Sequence, residues 1–200
     1  MRTFPLLTAL LLNCALSAQF ANNQPYPDVE ITGEFKKWHK HTLTFDGPEA
    51  DEQDANNPFL NYRLQVTFTH RSKSYIVPGY FAADGNAGES SASSGNKWRV
   101  HFAADEVGEW TYHVSFRKGS NVAISDEPLA GVTGTYMDGM AGSFNIGPTD
   151  KTGRDLRAKG RLEHVGKPYL QFAESGEFFM KAGADAPENL LAYSDFDGDF

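Results

Sequence analysis

Between Tyr62 and Tyr112 the chain carries three blocks in which large apolar residues alternate with polar ones: Val77-Pro78-Gly79-Tyr80-Phe81, Lys97-Trp98-Arg99-Val100-His101-Phe102 and Gly108-Glu109-Trp110-Thr111-Tyr112. Glycine, proline or acidic turn residues bound each block. A period of two sends successive side chains to opposite faces of an extended chain, so blocks of this kind are half-buried antiparallel strands. Strands are expected at 29–32, 39–45, 62–71, 74–81, 97–103, 109–116, 120–124 and 143–146. Short strands separated by turn signals specify an all-β, antiparallel sandwich. Nothing in this stretch sustains the 3.6-residue period of a long helix.

The alternation also assigns faces. Trp98 shares its side with Val100 and Phe102, and Trp110 shares its side with Tyr112, Val114 and Phe116, so both indoles belong to the inward set. His101 and His113 then face outward. Trp38, Tyr80 and Phe81 fall near loops or strand ends and are the better candidates for an exposed aromatic platform that stacks on a sugar ring.

Two loops are long. Residues 46–60 hold Asp46, Glu49, Asp51, Glu52 and Asp54 without a basic residue, so self-repulsion and full solvation are expected. Residues 82–96 are rich in Gly, Ala and Ser, with Asp84 and Glu89, a flexible composition.

The N-terminus has the layout of a secretory signal peptide over residues 1–18: Arg2, an apolar run from Leu6 to Leu12, then small residues at Ala15, Ser17 and Ala18. Cleavage after Ser17 or Ala18 would export the product to a periplasmic or extracellular compartment. The apolar run is short of the roughly 20 residues a membrane-spanning helix needs. Asn13 before Cys14 is not the small residue a lipoprotein processing site wants. Cys14 is the single cysteine, so the exported protein has no disulfide, thiol nucleophile or thiolate metal site. Its stability rests on an ordinary core, for which about 120 residues suffice and the 13% aromatic content supplies bulk. Losing the signal removes only one basic residue and takes the net charge from -8 to -9. So acidic a surface disfavours nucleic acid and anionic membrane as partners and leaves neutral polymers.

Residues 19–27, rich in Asn, Gln and Pro, form a flexible lead-in. The polar, turn-rich run Gly147 to Gly153 reads as a linker, with the working segment at 148–153. Five sequence blocks, Asn57-Pro58-Phe59, Val77 to Phe81, Trp98 to Phe102, Gly108 to Tyr112 and Gly142-Ser143-Phe144, make the chain from about 29 to 146 resemble the bacterial family called domain of unknown function 5060. The resemblance implies an immunoglobulin-like β-sandwich at 28–147, of the sort found ahead of a glycoside-hydrolase-like (β/α)8 barrel. It also implies that 154–200 is the start of that barrel, with a short hairpin and a first strand ending near Gly183-Ala184-Asp185. A barrel needs roughly 250 residues, so this stretch is expected to be an incomplete piece of a second domain. The implied partners are a polysaccharide or the barrel itself.

That layout limits the chemistry to be expected. Glycoside hydrolysis uses two carboxylates, about 5–5.5 Å apart for retention or about 6.5–9.5 Å for inversion. Barrel enzymes place them at the ends of several different strands, so a complete catalytic pair, or any catalytic residue, is not expected here. Asp185, Glu188 and Asn189 lie where the resembling barrel would meet substrate; the bland reading is loop polarity and helix capping, since Pro187 and Glu188 follow Asp185 as at a helix start. Asp195-Phe196-Asp197-Gly198-Asp199 resembles the start of a calcium loop but has no distal glutamate. His39 and His41 share one strand face and lack an identifiable third ligand; Leu43 and Phe45 on that side favour packing. Ser90, Ser91, Ser93 and Ser94 sit in no Gly-x-Ser-x-Gly elbow and read as linker. No cofactor and no metal are expected. The expectation is a non-catalytic accessory sandwich of an exported carbohydrate-active protein, with Tyr80 and Trp38 as candidate sugar contacts. The alternatives are a free-standing carbohydrate-binding module and, less favoured, an enzyme in its own right.

Overall fold

The computed structural model describes residues 29–180 and Gly183. The expected signal peptide, the lead-in, the acidic run at 195–199 and the trio Asp185, Glu188 and Asn189 lie outside the described residues.

Antiparallel strands dominate. One sheet, here sheet A, has the order β1 (Glu30–Gly33), β2 (Lys40–Asp51), β6 (Ser94–Ala103), β5 (Tyr80–Phe81). The second, sheet B, has β4 (Lys73–Pro78), β3 (Tyr62–His70) and β7 (Gly108–Lys118), with β8 (Val132–Thr133) and β9 (Ala141–Ile146) pairing along different parts of β7. Two four-residue helical turns, α1 (Pro58–Asn61) and α2 (Ala87–Ser90), interrupt the connections. Asn57 caps α1 by accepting from the Phe59 N–H, and Pro58 occupies the first helical position, where its missing donor costs nothing.

The sheets face each other across an aromatic core. Phe68 of β3 stacks on Phe102 of β6 with centroids 4.1 Å apart. Trp98 of β6 meets Phe116 of β7 edge-on at 5.0 Å, and Trp110 meets Phe102 at 5.0 Å. Trp98 and Trp110 are buried, as the alternation predicts, while His101 and His113 face outward. Such edge and offset geometries add attraction beyond area burial.

Four expectations are corrected. The predicted strand 74–81 is two strands in different sheets: β4 pairs β3, and after Gly79 the chain crosses so that β5 pairs β6. Gly79 permits the crossing because a Cβ there would lie 2.4 Å from Leu64 Cδ2 and 2.7 Å from the Arg99 carbonyl oxygen. Phe81, named as a possible platform, is consequently core. The acidic stretch from 46 is not a solvated loop at its start, because β2 runs on to Asp51 through an irregularity between Asp46 and Ala50 and the Asp46 carboxylate pairs with Lys97 across the ladder. The predicted strand 120–124 is a 3₁₀ turn at Val122–Ile124, entered through Asn121 in a left-handed conformation (φ 55°).

Loop 82–93 has local order. Asp84 accepts from the Ser90 hydroxyl at 2.6 Å and from the Asn86 N–H at 2.7 Å, which closes the chain around α2. Beyond the sandwich, β10 (Leu162–Glu163), β11 (Leu170–Phe172) and β12 (Phe178–Phe179) form a small antiparallel sheet.

Candidate functional site

Register places a row of side chains on the outer face of sheet A. Tyr80 lies opposite Arg99, and Arg99 lies opposite Thr44; one step along, His101 lies opposite Thr42. The inward residues between them are Val100, Leu43 and Phe81, so the row projects away from the core. Tyr80 is 43% exposed. Its hydroxyl is 3.0 Å from His101 Nε2, and His101 Nδ1 is 2.9 Å from Thr42 Oγ1. Burial, then the nearby Lys40 and Arg99 charges, push the His101 pKa down, which favours the neutral imidazole. A neutral ring has one donor and one acceptor nitrogen, so it bridges the two hydroxyls and fixes the orientation of Tyr80.

Beside this row lies a cleft of about 360 Å³, walled by Tyr80, Arg99, Glu52, Asn86 and Glu89. Arg99 is braced, its Nε donating to Thr44 Oγ1 at 3.1 Å. The far wall is the loop that Asp84 closes; the Ser90 and Asn86 hydrogen bonds hold the Asp84 carboxyl below its usual range. A fixed aromatic ring, a guanidinium fork, two carboxylates and an amide are the groups that hydrogen-bond paired hydroxyls while an apolar ring face stacks.

Trp38 occupies a different place. It sits half-buried in a turn where both Phe35 (φ 50°) and Trp38 (φ 66°) adopt left-handed backbone, costly for bulky residues. Its indole N–H donates to Glu174 Oε2 at 3.0 Å, and Lys37 pairs with the same carboxylate at 2.6 Å. Hydrogen bonds from Lys37 and then Trp38 outweigh partial burial and hold Glu174 below its usual range. Arg161 lies over the Trp38 ring at 5.9 Å and over Tyr75 at 5.5 Å. Tyr75 donates to Asp105 at 2.7 Å, and Lys73 reaches the same oxygen at 3.0 Å. Burial pushes the Asp105 carboxyl up, but these two donors more than offset it. Trp38 thus clamps the sheet β10-β11-β12 to the sandwich.

His39 lies just before β2 and His41 within it, and the two rings have different partners. His41 is buried against Phe35 and Phe144, with centroids 5.4 and 5.9 Å away. His39 points its Nε2 to Thr149 Oγ1 at 3.1 Å and lies near Glu34 and Asp150. Glu34, His39 and Asp150 have ligand-type atoms within 4.8 Å of one another. Lys36 lies 2.6 Å from Asp150 and 3.2 Å from Glu34, and Lys151 and Arg157 complete the neutralisation. The hydrogen bonds from Lys36 and Lys151 hold Asp150 far below its usual range. Lys36, Lys151 and Arg157 with Glu34, Asp150 and Asp155 make this an ion-pair network that ties 149–157 to the base of the sandwich.

Of the sequence-level candidates among the described residues, Tyr80 lines a cleft and Trp38 is a clamp; the two are not brought together. Arg99, His101 and Glu52 were missed. Their only sequence signal is outward phase on a strand or a place in an acidic loop, which most surface residues share.

The fold is all-β, and a family match accompanies it. Residues 34–117 match the model of the family described as Domain of unknown function (DUF5060). A crystal structure described as "a putative glycoside hydrolase from Bacteroides vulgatus ATCC 8482" is similar at 23% identity with a TM-score of 0.44. The match covers 72% of this chain and 20% of that one, so the chain spans about a fifth of the solved structure's length. No curated protein matches the chain. Among the described residues no helix is long and apolar enough to cross a membrane.

Proposed function

We propose that residues 28–147 are an immunoglobulin-like, non-catalytic accessory sandwich of an exported carbohydrate-active protein. The 148–153 stretch is then its linker, and 154–200 the first part of a barrel-like domain in which Asp185, Glu188 and Asn189 approach substrate. The sandwich has two tasks in this reading: it packs against the downstream segment through the Trp38 clamp, and it contributes to polysaccharide binding through Tyr80.

One observation carries the binding task. Tyr80 is exposed, oriented by the Tyr80–His101–Thr42 hydrogen-bond chain, and set beside the Arg99 guanidinium in a cleft with Glu52, Asn86 and Glu89. Preorganisation of this kind lowers the entropy cost of binding. The chain's negative charge and the two cleft carboxylates favour a neutral glycan over an anionic one. The clamp favours the accessory role over a free-standing module, since a module working alone has no use for a strained turn gripping Glu174.

The test is calorimetric titration of the 200-residue chain with neutral hexasaccharides of β-1,4-glucose, β-1,4-mannose, β-1,4-xylose and β-1,3-glucose. Binding of at least one, weakened about tenfold or more by Tyr80→Ala (about 1.4 kcal/mol) with an unchanged melting temperature, is expected. No binding to any of them, or binding indifferent to Tyr80→Ala, overturns the glycan reading.

A further inference from the structure

Tyr80 and Phe81 line two clefts. On the far side of β5 from Arg99 lies a second hollow of about 180 Å³, whose walls include Phe59, Tyr62, Gln65, Pro78 and Tyr80. The short strand β5 is therefore a ridge between the two hollows, with the Tyr80 ring on its crest. The ridge stands where it does because Gly79 lets the chain leave sheet B and pair at once with β6.

The second hollow has its own exposed aromatic. Phe59 is 49% exposed, although it is large and apolar, and the α1 turn holds it there. Asn57 caps that turn, and the inner edge of the Phe59 ring meets Phe81 at 6.0 Å in an edge-on contact. Tyr62, at the base of the hollow, is anchored between Phe116 and Trp98, with centroids 5.6 and 5.4 Å away. Gln65 adds an amide that donates and accepts. The hollow thus repeats the composition of the first, an exposed ring face beside a polar side chain on rigid backbone.

Size gives the two hollows different roles. Sites for small ligands commonly enclose about 300–1,000 Å³. The Arg99 side reaches that range alone, whereas the Phe59 side falls below it. From this we infer that the two form one groove across β5, a primary sugar subsite at Tyr80–Arg99 and an extension subsite at Phe59–Gln65, taking a linear neutral oligosaccharide that lies over the ridge. The inference rests on the glycan reading of Tyr80 and goes beyond it by assigning Phe59 and Gln65 a role and the ligand a linear form longer than one or two sugar units.

The groove predicts length dependence. A disaccharide fills the primary subsite only, and a hexasaccharide reaches both. Titration of the 200-residue chain with the di-, tetra- and hexasaccharide of whichever neutral β-glycan it binds gives at least a tenfold rise in affinity from the shortest to the longest. Phe59→Ala removes most of that rise and leaves disaccharide affinity within twofold. Gln65→Ala, at a half-buried position on the opposite wall, repeats the effect more weakly and serves if Phe59→Ala does not fold. Tyr80→Ala weakens every length alike. Affinity independent of length, or a length gain that survives both Phe59→Ala and Gln65→Ala, overturns the extended groove while leaving the Tyr80 subsite standing. Loss of the Tyr80 effect at all lengths overturns the glycan reading itself, and the groove with it.

Discussion

The sandwich and the small sheet C-terminal to it are both antiparallel, but only one supplies its own second layer. Between sheets A and B, Trp98, Trp110, Phe68 and Phe116 are almost wholly enclosed, each touching aromatic rings from the facing sheet. In β10-β11-β12 only Phe172 is buried, against Phe179 edge-on at 5.7 Å, while Leu162, Leu170 and Phe178 remain exposed. A three-stranded sheet needs a layer to pack on. What this one receives from the sandwich is a few side chains, Trp38, Lys37 and Tyr75, engaging Glu174 and Arg161. Residues whose loss unfolds the protein are therefore distinct from residues whose loss only frees its C-terminal part.

The largest effect belongs to Trp98. Its ring meets Tyr62, Phe81 and Phe116 at 5.4, 5.3 and 5.0 Å, so truncation opens a cavity that no neighbour fills. Trp98→Ala is expected to cost about 3–5 kcal/mol in urea unfolding, a large part of a typical domain's stability. A loss below about 1 kcal/mol would mean that the core is far looser than its ring geometry implies. Gly79→Ala comes next, at about 1–3 kcal/mol, because the new methyl strikes the Arg99 carbonyl, which is backbone, as well as the Leu64 side chain. A neutral outcome there would show that the crossing from β4 to β5 has room to shift.

Gly79 also marks where sequence ceased to inform. Period-two alternation located β3, β6 and β7 and the inward Trp98 and Trp110, because each side chain's face follows from parity alone. The same parity runs unbroken through Val77, Gly79 and Phe81, so nothing in it reports that the strand changes sheets. The stretch 46–51 escaped for a related reason: its carboxylates repel when counted along the chain, and only the register with β6 brings Lys97 to Asp46. Tyr80 was legible as an aromatic at a strand end. The groups that surround it, Arg99, His101 and Thr42, come from two other strands, and cross-strand neighbours are fixed by pairing that local sequence does not encode.

A pH-dependent effect belongs to His41, whose buried imidazole packs on apolar rings of the sandwich. Burial pushes the His41 pKa below its ordinary value of about 6.5. Between the folded and the unfolded value the unfolded chain binds more protons, so stability falls as pH drops through and below about 6.5 and is unaffected by this group above it. His41→Phe removes that proton uptake while keeping a ring between Phe35 and Phe144. Urea midpoints measured at intervals from pH 7.5 to 5 are expected to fall less steeply for the variant than for the parent. Equal slopes would show that His41 is hydrated or protonated in the folded state.

Trp38 sharpens the comparison from the other side, with the smallest global effect. Its backbone sits at φ 66°, so part of what the Trp38 contacts contribute is spent on local strain, and shortening the side chain releases none of the core. Trp38→Ala is therefore expected to shift the sandwich's unfolding free energy by no more than about 0.5 kcal/mol. The same change removes the indole donor to Glu174 and the face under Arg161, leaving the Lys37–Glu174 pair as a partly exposed bridge worth about 1 kcal/mol or less. Amide exchange should then quicken across residues 159–180 and stay unchanged in β3, β6 and β7. If exchange rose in both regions, the small sheet would be a working part of the core and the division drawn between them would fail. If it rose in neither, the Lys37 bridge to Glu174 would hold the sheet without Trp38, and the strained turn would have no structural use that these contacts explain.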